Sequence, residues 1–151
     1  MIKLVSVLKK KADLDIEEFQ NYWLRSNSNL AVALPNLKGY SQSHTLKSAY
    51  KKIKPVSDGI AEFQFENSDR YRECLRSNEF NSFQRDLEGF TQPEQNIYLV
   101  VQERLIKNNN VISDGVKSIE LVKRKEGMKI SDFQSYWTKT HGPLGASIPQ
   151  V

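Results

Sequence analysis

A segment of this chain is written twice, and the repetition limits the folds open to it. Residues 2–37 lie over residues 116–151 without a gap, each matched pair differing by 114. Lys3, Lys9, Lys11, Ile16, Phe19, Gln20, Tyr22, Trp23, Leu30 and Pro35 recur as Lys117, Lys123, Lys125, Ile130, Phe133, Gln134, Tyr136, Trp137, Leu144 and Pro149. Ten identities in 36 positions, both Trp residues of the chain among them, exceed the roughly two that average composition gives by chance. Whatever unit the first copy opens, the second copy opens again.

The first copy begins with "IKLVSVLK" (2–9), whose apolar and β-branched residues predict a strand. "ADLDIEEFQNYW" follows, with Asp13 or Asp15 as N-cap and Glu17 and Glu18 complementing the helix dipole. Ile16, Phe19, Trp23, Leu30 and Leu34 fall on one helical stripe that runs to Pro35. Strands are predicted over 37–46 and 58–67, the second alternating Ala61, Phe63 and Phe65 against Ile60, Glu62 and Gln64; "KSAYKKIKPVS" between them reads as a polar loop. Helical spacing returns at Tyr71, Cys74, Leu75, Phe80, Phe83 and Leu87, divided around Ser77 and Asn78, and a last strand spans 95–106.

The order β-α-β-β-α-β predicts an α+β, ferredoxin-like fold with an antiparallel four-stranded sheet. Residues 1–106 complete it, residues 107–114 read as a polar linker, and residues 115–151 open a second repeat with an extra β-α unit. One strand and one helix cannot bury both apolar faces alone. The partial repeat is therefore expected to dock on the first repeat or on another chain, or to belong to a longer tandem protein.

Bulk properties narrow the function classes. With 38% apolar residues the chain reads as globular, and no window approaches the ~20 apolar residues of a membrane span. The +4 net charge is scattered over Lys9–Lys11, Lys51–Lys54 and Lys123–Lys125 rather than interleaved with groove-reading elements, so nucleic acid is not an expected partner. A single cysteine, Cys74, forms no internal disulfide and fits a cytoplasmic location. Two His and one Cys at distant positions give no metal-ligand spacing, and no nucleotide-binding loop is present; neither metal nor cofactor is expected.

Taken together, "MIKLVSVLKKKADLDIEEFQNYW", "LPNLKGYSQSH", "DGIAEFQF" and "YLVVQERLI" resemble the EthD domain family of the dimeric α/β-barrel superfamily, over residues 1–106 and again from 115. The resemblance implies sheets that pair face to face, either with a second EthD-like domain in cis or in a homodimer. It also implies a small-molecule substrate, apolar or aromatic, and possible activity as a cofactor-independent oxidoreductase. The alternatives on the same scaffold are a polyketide cyclase or decarboxylase and a non-catalytic binding or assembly module.

The family pattern places a His four residues after the helix Trp, often before Pro-Leu. "YWTKTHGPL" carries it as His141, whereas "YWLRSNSNL" has Asn27 there, and an amide cannot take up a proton near neutral pH. The first repeat keeps the family's other His, His44 in "YSQSH". The resemblance thus points to His44 as proton acceptor, with Tyr40 and Asp58 as catalytic partners that orient it. Asn27, Trp23, Tyr22, Glu62 and His141 are the expected substrate contacts. Read residue by residue without the family, the structural roles are the stronger reading: His44 as a hydrogen-bonded strand residue, Asp58-Gly59 as a turn, and Trp23 as core.

Overall fold

A computed structural model describes residues 1–107 and 115–149. Two compact units divide between Glu103 and Arg104.

The first unit follows the expected order. Strand β1 (Ile2–Leu8) leads to α1 (Ile16–Tyr22), a π turn (Trp23–Asn27) and α2 (Ser28–Val32); β2 (Leu37–His44) and β3 (Gly59–Phe65) follow. Then come α3 (Ser68–Leu75), α4 (Asn78–Phe90) and β4 (Ile97–Gln102). All pairings are antiparallel, in the order β2-β3-β1-β4. Asp15 is the cap of α1: its carboxylate accepts from the Glu18 N–H, while the Glu18 side chain accepts from the Asp15 N–H. Ser77 breaks the later helix into α3 and α4 by accepting from the Phe80 N–H. The segment between β2 and β3, expected to be loop, contains a 3₁₀ turn at Lys47–Lys51.

Register decides which residues meet the helices. Leu4 stands opposite Phe63 and Leu8 opposite Gly59, so these positions share one face with Ala61 and Phe65. Phe19, Trp23, Ala31, Leu34, Phe83, Leu87 and Phe90 close over that face as a single apolar core. Each such side chain contributes about 1.5–3 kcal/mol by leaving water, so core burial dominates the fold's stability. The opposite sheet face carries Val5, Val7 and Ile60, together with a buried Lys3 that pairs with Glu62 at 3.4 Å and with Glu103. Burial works against the Lys3 charge, but the two carboxylates outweigh it and raise its pKa.

The second unit contains α5 (Ile130–Tyr136), a π turn (Trp137–His141) and α6 (Gly142–Ala146). The expected extra strand is a correction: residues 115–125 lie outside regular structure. A strand is defined by its ladder, and the counterparts of β3 and β4, which hold β1 from both sides, are absent from the described residues of this unit.

Candidate functional site

Alternation along β2 sends Tyr40, Gln42 and His44 to the helix-facing side, opposite Phe63, Ala61 and Gly59. There they line a cavity of about 440 Å³ together with Leu24 and Ser28 from the π turn and α2. The amide of Gln42 is held in one orientation. Its Nε2 donates to the Trp23 carbonyl at 3.0 Å, an acceptor only, and to Tyr40 Oη at 2.8 Å. Oε1 therefore faces His44, 2.9 Å from Nε2. The imidazole must carry its hydrogen on Nε2, which leaves Nδ1 as the basic lone pair.

Burial lowers the His44 pKa, keeping the ring neutral and available as a base. Burial raises the Tyr40 pKa against hydrogen bonds from Gln42 and Trp23. Because those bonds arrive at its oxygen, the Tyr40 hydroxyl hydrogen remains to be donated. The site therefore combines one proton acceptor and one neutral donor on an aromatic floor.

Trp23 supplies that floor. Its ring lies 4.7 Å from the His44 ring at 31°, and it is wholly buried. Expected as a substrate contact, Trp23 stands behind His44 and Gln42 and braces them. Gly59 makes room for it, since a Cβ there would stand 2.2 Å from Trp23 Cζ3.

The other expected residues are dispersed. Asp58, expected to orient His44, is 1% exposed and otherwise engaged: it accepts from Tyr50 Oη at 2.5 Å, from the Lys10 N–H at 2.9 Å, and pairs with Lys9 at 3.5 Å. Glu62 shares its face with Ser41 and Val5 and pairs with Lys3, so it points away from His44. Neither side chain is bonded to His44, and strand alternation explains the placement of the second.

Tyr22 and Asn27 meet at another point, Asp86 of α4. Tyr22 Oη donates to Asp86 Oδ1 at 2.6 Å and Asn27 Nδ2 to Oδ2 at 2.8 Å. The acidic partner, helped by burial, raises the Tyr22 pKa. Asn27 is fully buried and its Oδ1 has no hydrogen-bond partner. Tyr22 and Asp86, with Leu14 and Phe90, line a cavity of about 510 Å³. In the second unit His141 is exposed and stacks on Trp137, ring centroids 4.6 Å apart.

Gln42 and Asp86 were not anticipated. Period-two alternation from Tyr40 to His44 marks Gln42, whereas nothing local in sequence marks Asp86. Among the described residues no group of three His, Cys, Asp or Glu side chains could hold a metal, and no helix is long and apolar enough to cross a membrane.

A four-stranded antiparallel sheet carrying its helices on one face defines the unit as a ferredoxin-like α+β domain. Solved structures share that fold. An EthD family protein from Bacillus halodurans C-125 superposes with a TM-score of 0.55 at 14% identity, covering 69% of this chain and 99% of that one. SnoaB, a cofactor-independent oxygenase from Streptomyces nogalater, gives 0.50 at 12% identity, covering 69% and 93%. A dimeric ferredoxin-like protein of unknown function from Thermobifida fusca YX gives 0.52 at 12% identity, covering 66% and 88%. No curated protein matches in sequence. The EthD domain family matches residues 11–94, more than half of the chain, and the chain belongs to it.

Proposed function

We propose that the first unit binds a small, largely apolar or aromatic molecule bearing an acidic hydroxyl or an enolisable carbonyl, and that His44 accepts its proton. The observation that carries this reading is the Tyr40-Gln42-His44 row, which presents a fixed-tautomer neutral imidazole and a hydroxyl donor to one cavity. Proton removal gives an electron-rich anion, the common entry to attack on dioxygen and to ring closure. Tyr40 stabilises that anion through its hydroxyl, and no prosthetic group is required to form it. The likeness in fold to SnoaB, described as a cofactor-independent oxygenase, agrees with the oxidative branch.

A non-catalytic binding role is the second reading. It draws on Asn27, which cannot exchange a proton where the second repeat has His141. The sheet face turned away from the helices carries apolar Val5, Val7 and Ile60, which supports face-to-face pairing with another such domain, and the relative described as dimeric agrees with it. Residues 115–149 are read as the opening of a second EthD-like domain, and the lone buried Cys74 is in keeping with a cytoplasmic setting.

The test is a titration of ¹⁵N-labelled protein with 1-naphthol, an aromatic probe with an acidic hydroxyl. Shifts should concentrate at Leu24, Ser28, Tyr40, Gln42 and His44, and His44→Ala should weaken binding. Shifts confined elsewhere, or binding unchanged in His44→Ala, would overturn the assignment.

A further inference from the structure

A third cavity, of about 720 Å³, shares no lining residue with that of His44. Five lysines border it: Lys9, Lys10, Lys51, Lys52 and Lys54. Its single carboxylate, Asp58, has both oxygens committed, Oδ1 to Tyr50 and Oδ2 to the Lys10 N–H and the Lys9 ammonium. Lys9 also donates to the Pro55 carbonyl at 2.8 Å, and Lys10 to the Leu14 carbonyl. Lys51, Lys52 and Lys54 differ from these two. Their ammonium groups have no hydrogen bond or ion pair among the described residues, although nearby Lys47 reaches Glu17 at 3.2 Å.

The strand-to-strand segment bearing these three cations is held at both ends. Tyr50 is fastened to buried Asp58 just before the run, and Pro55 is fastened to Lys9 just after it. Thr45 Oγ1 donates to the Ser57 carbonyl at 2.9 Å and closes the base of the segment. A flexible lysine-rich loop would spread its charges through solvent. Here the backbone keeps several like charges around one concavity, an arrangement that repels itself until a counter-charge arrives. Ion pairs at such partly exposed positions are individually weak, so a ligand must engage several lysines at once.

We propose that this cavity binds a compact polyanion, a molecule carrying two or more phosphate or carboxylate groups. Its volume suits a small molecule rather than a macromolecular surface. The site adds a charged-ligand function to the domain and is independent of the chemistry assigned to His44.

Calorimetric titration of the full chain at low salt, with inorganic pyrophosphate and with citrate separately, tests it. Saturable one-to-one binding of at least one titrant is expected, and the titrant that binds distinguishes polyphosphate from polycarboxylate. Lys51→Ala, Lys52→Ala and Lys54→Ala combined should weaken it about tenfold or more, since three screened contacts are lost. These side chains are exposed, so the fold should survive their truncation, with an unchanged circular dichroism spectrum as the check. Lys123→Ala with Lys125→Ala removes charge from the other unit and should leave affinity unchanged. No saturable binding to either anion, equal affinity in the triple variant, or an equal loss in the Lys123/Lys125 variant would overturn the proposal.

Discussion

His44 and Gln42 lie two residues apart on β2 and face each other, imidazole Nε2 2.9 Å from amide Oε1. The relationship is directional because the Trp23 carbonyl accepts only and turns the amide nitrogen to itself. A neutral amide thus fixes the tautomer of a half-buried ring without supplying charge to it.

His44 should therefore titrate below its ordinary value of about 6.5. The unfolded chain binds that proton more readily than the native one, so the His44 contribution to stability falls as pH drops from about 6.5 toward the native pKa; above that window it is flat. NMR titration should give the depressed pKa, and His44→Gln should flatten this part of the stability profile. Gln42→Glu, which places a carboxylate beside the ring, should raise the His44 pKa relative to wild type.

Gly59→Ala should destabilise the unit by about 1–3 kcal/mol, the usual range for overpacking a closed core. Its Cβ would meet Trp23 Cζ3 at 2.2 Å and Cη2 at 2.7 Å, and the indole is walled in by Phe19 and His44. A lower urea midpoint, accompanied by displaced His44 ring resonances, is the expected signature.

Asn27→Asp should be more damaging at neutral pH than Asn27→Leu. The amide donates to Asp86 at 2.8 Å, and a carboxylate in its place would oppose Asp86 at full burial, a loss of about 2–4 kcal/mol. Sharing a proton relieves the repulsion, so the native pair binds a proton more tightly than the unfolded chain. The Asn27→Asp deficit should shrink as pH falls toward the carboxylate range, a trend that denaturation at pH 7 and pH 5 can establish.

Cys74 is wholly buried in the core, and burial pushes its thiol pKa up to about 11. Only the thiolate reacts with iodoacetamide, so labelling in native buffer should be far slower than in urea. Its rate should follow global unfolding rather than local fluctuation. Rapid native labelling would contradict the packing of α3.

The architecture was legible because its signals are periodic. The alternation of Ala61, Phe63 and Phe65 and the stripe through Phe19 and Trp23 are read directly as faces. The same alternation places Tyr40 and His44 on one side of β2, with Gln42 between them at the same period. For Asp58 the sequence reports that a carboxylate is near β3 but not where its lone pairs go: a backbone N–H contributed by Lys10 and a hydroxyl from Tyr50 claim them. The extra strand failed because its pattern is necessary for a strand and pairing is what makes one. Neither π turn carries a compositional mark, so each is visible only in three dimensions.

Those two turns occupy matched positions, Trp23–Asn27 and Trp137–His141. A π turn departs from the helical hydrogen-bond register and is uncommon as an accident. Its presence in both segments puts the same break in helical register directly after the shared Phe-Gln-x-Tyr run. The last residue of the turn differs between them, an amide joined to Asp86 in one segment and an imidazole lying on its own indole in the other. One backbone irregularity thus presents two chemically different side chains at the same matched position, one unable and one able to carry a proton near neutral pH.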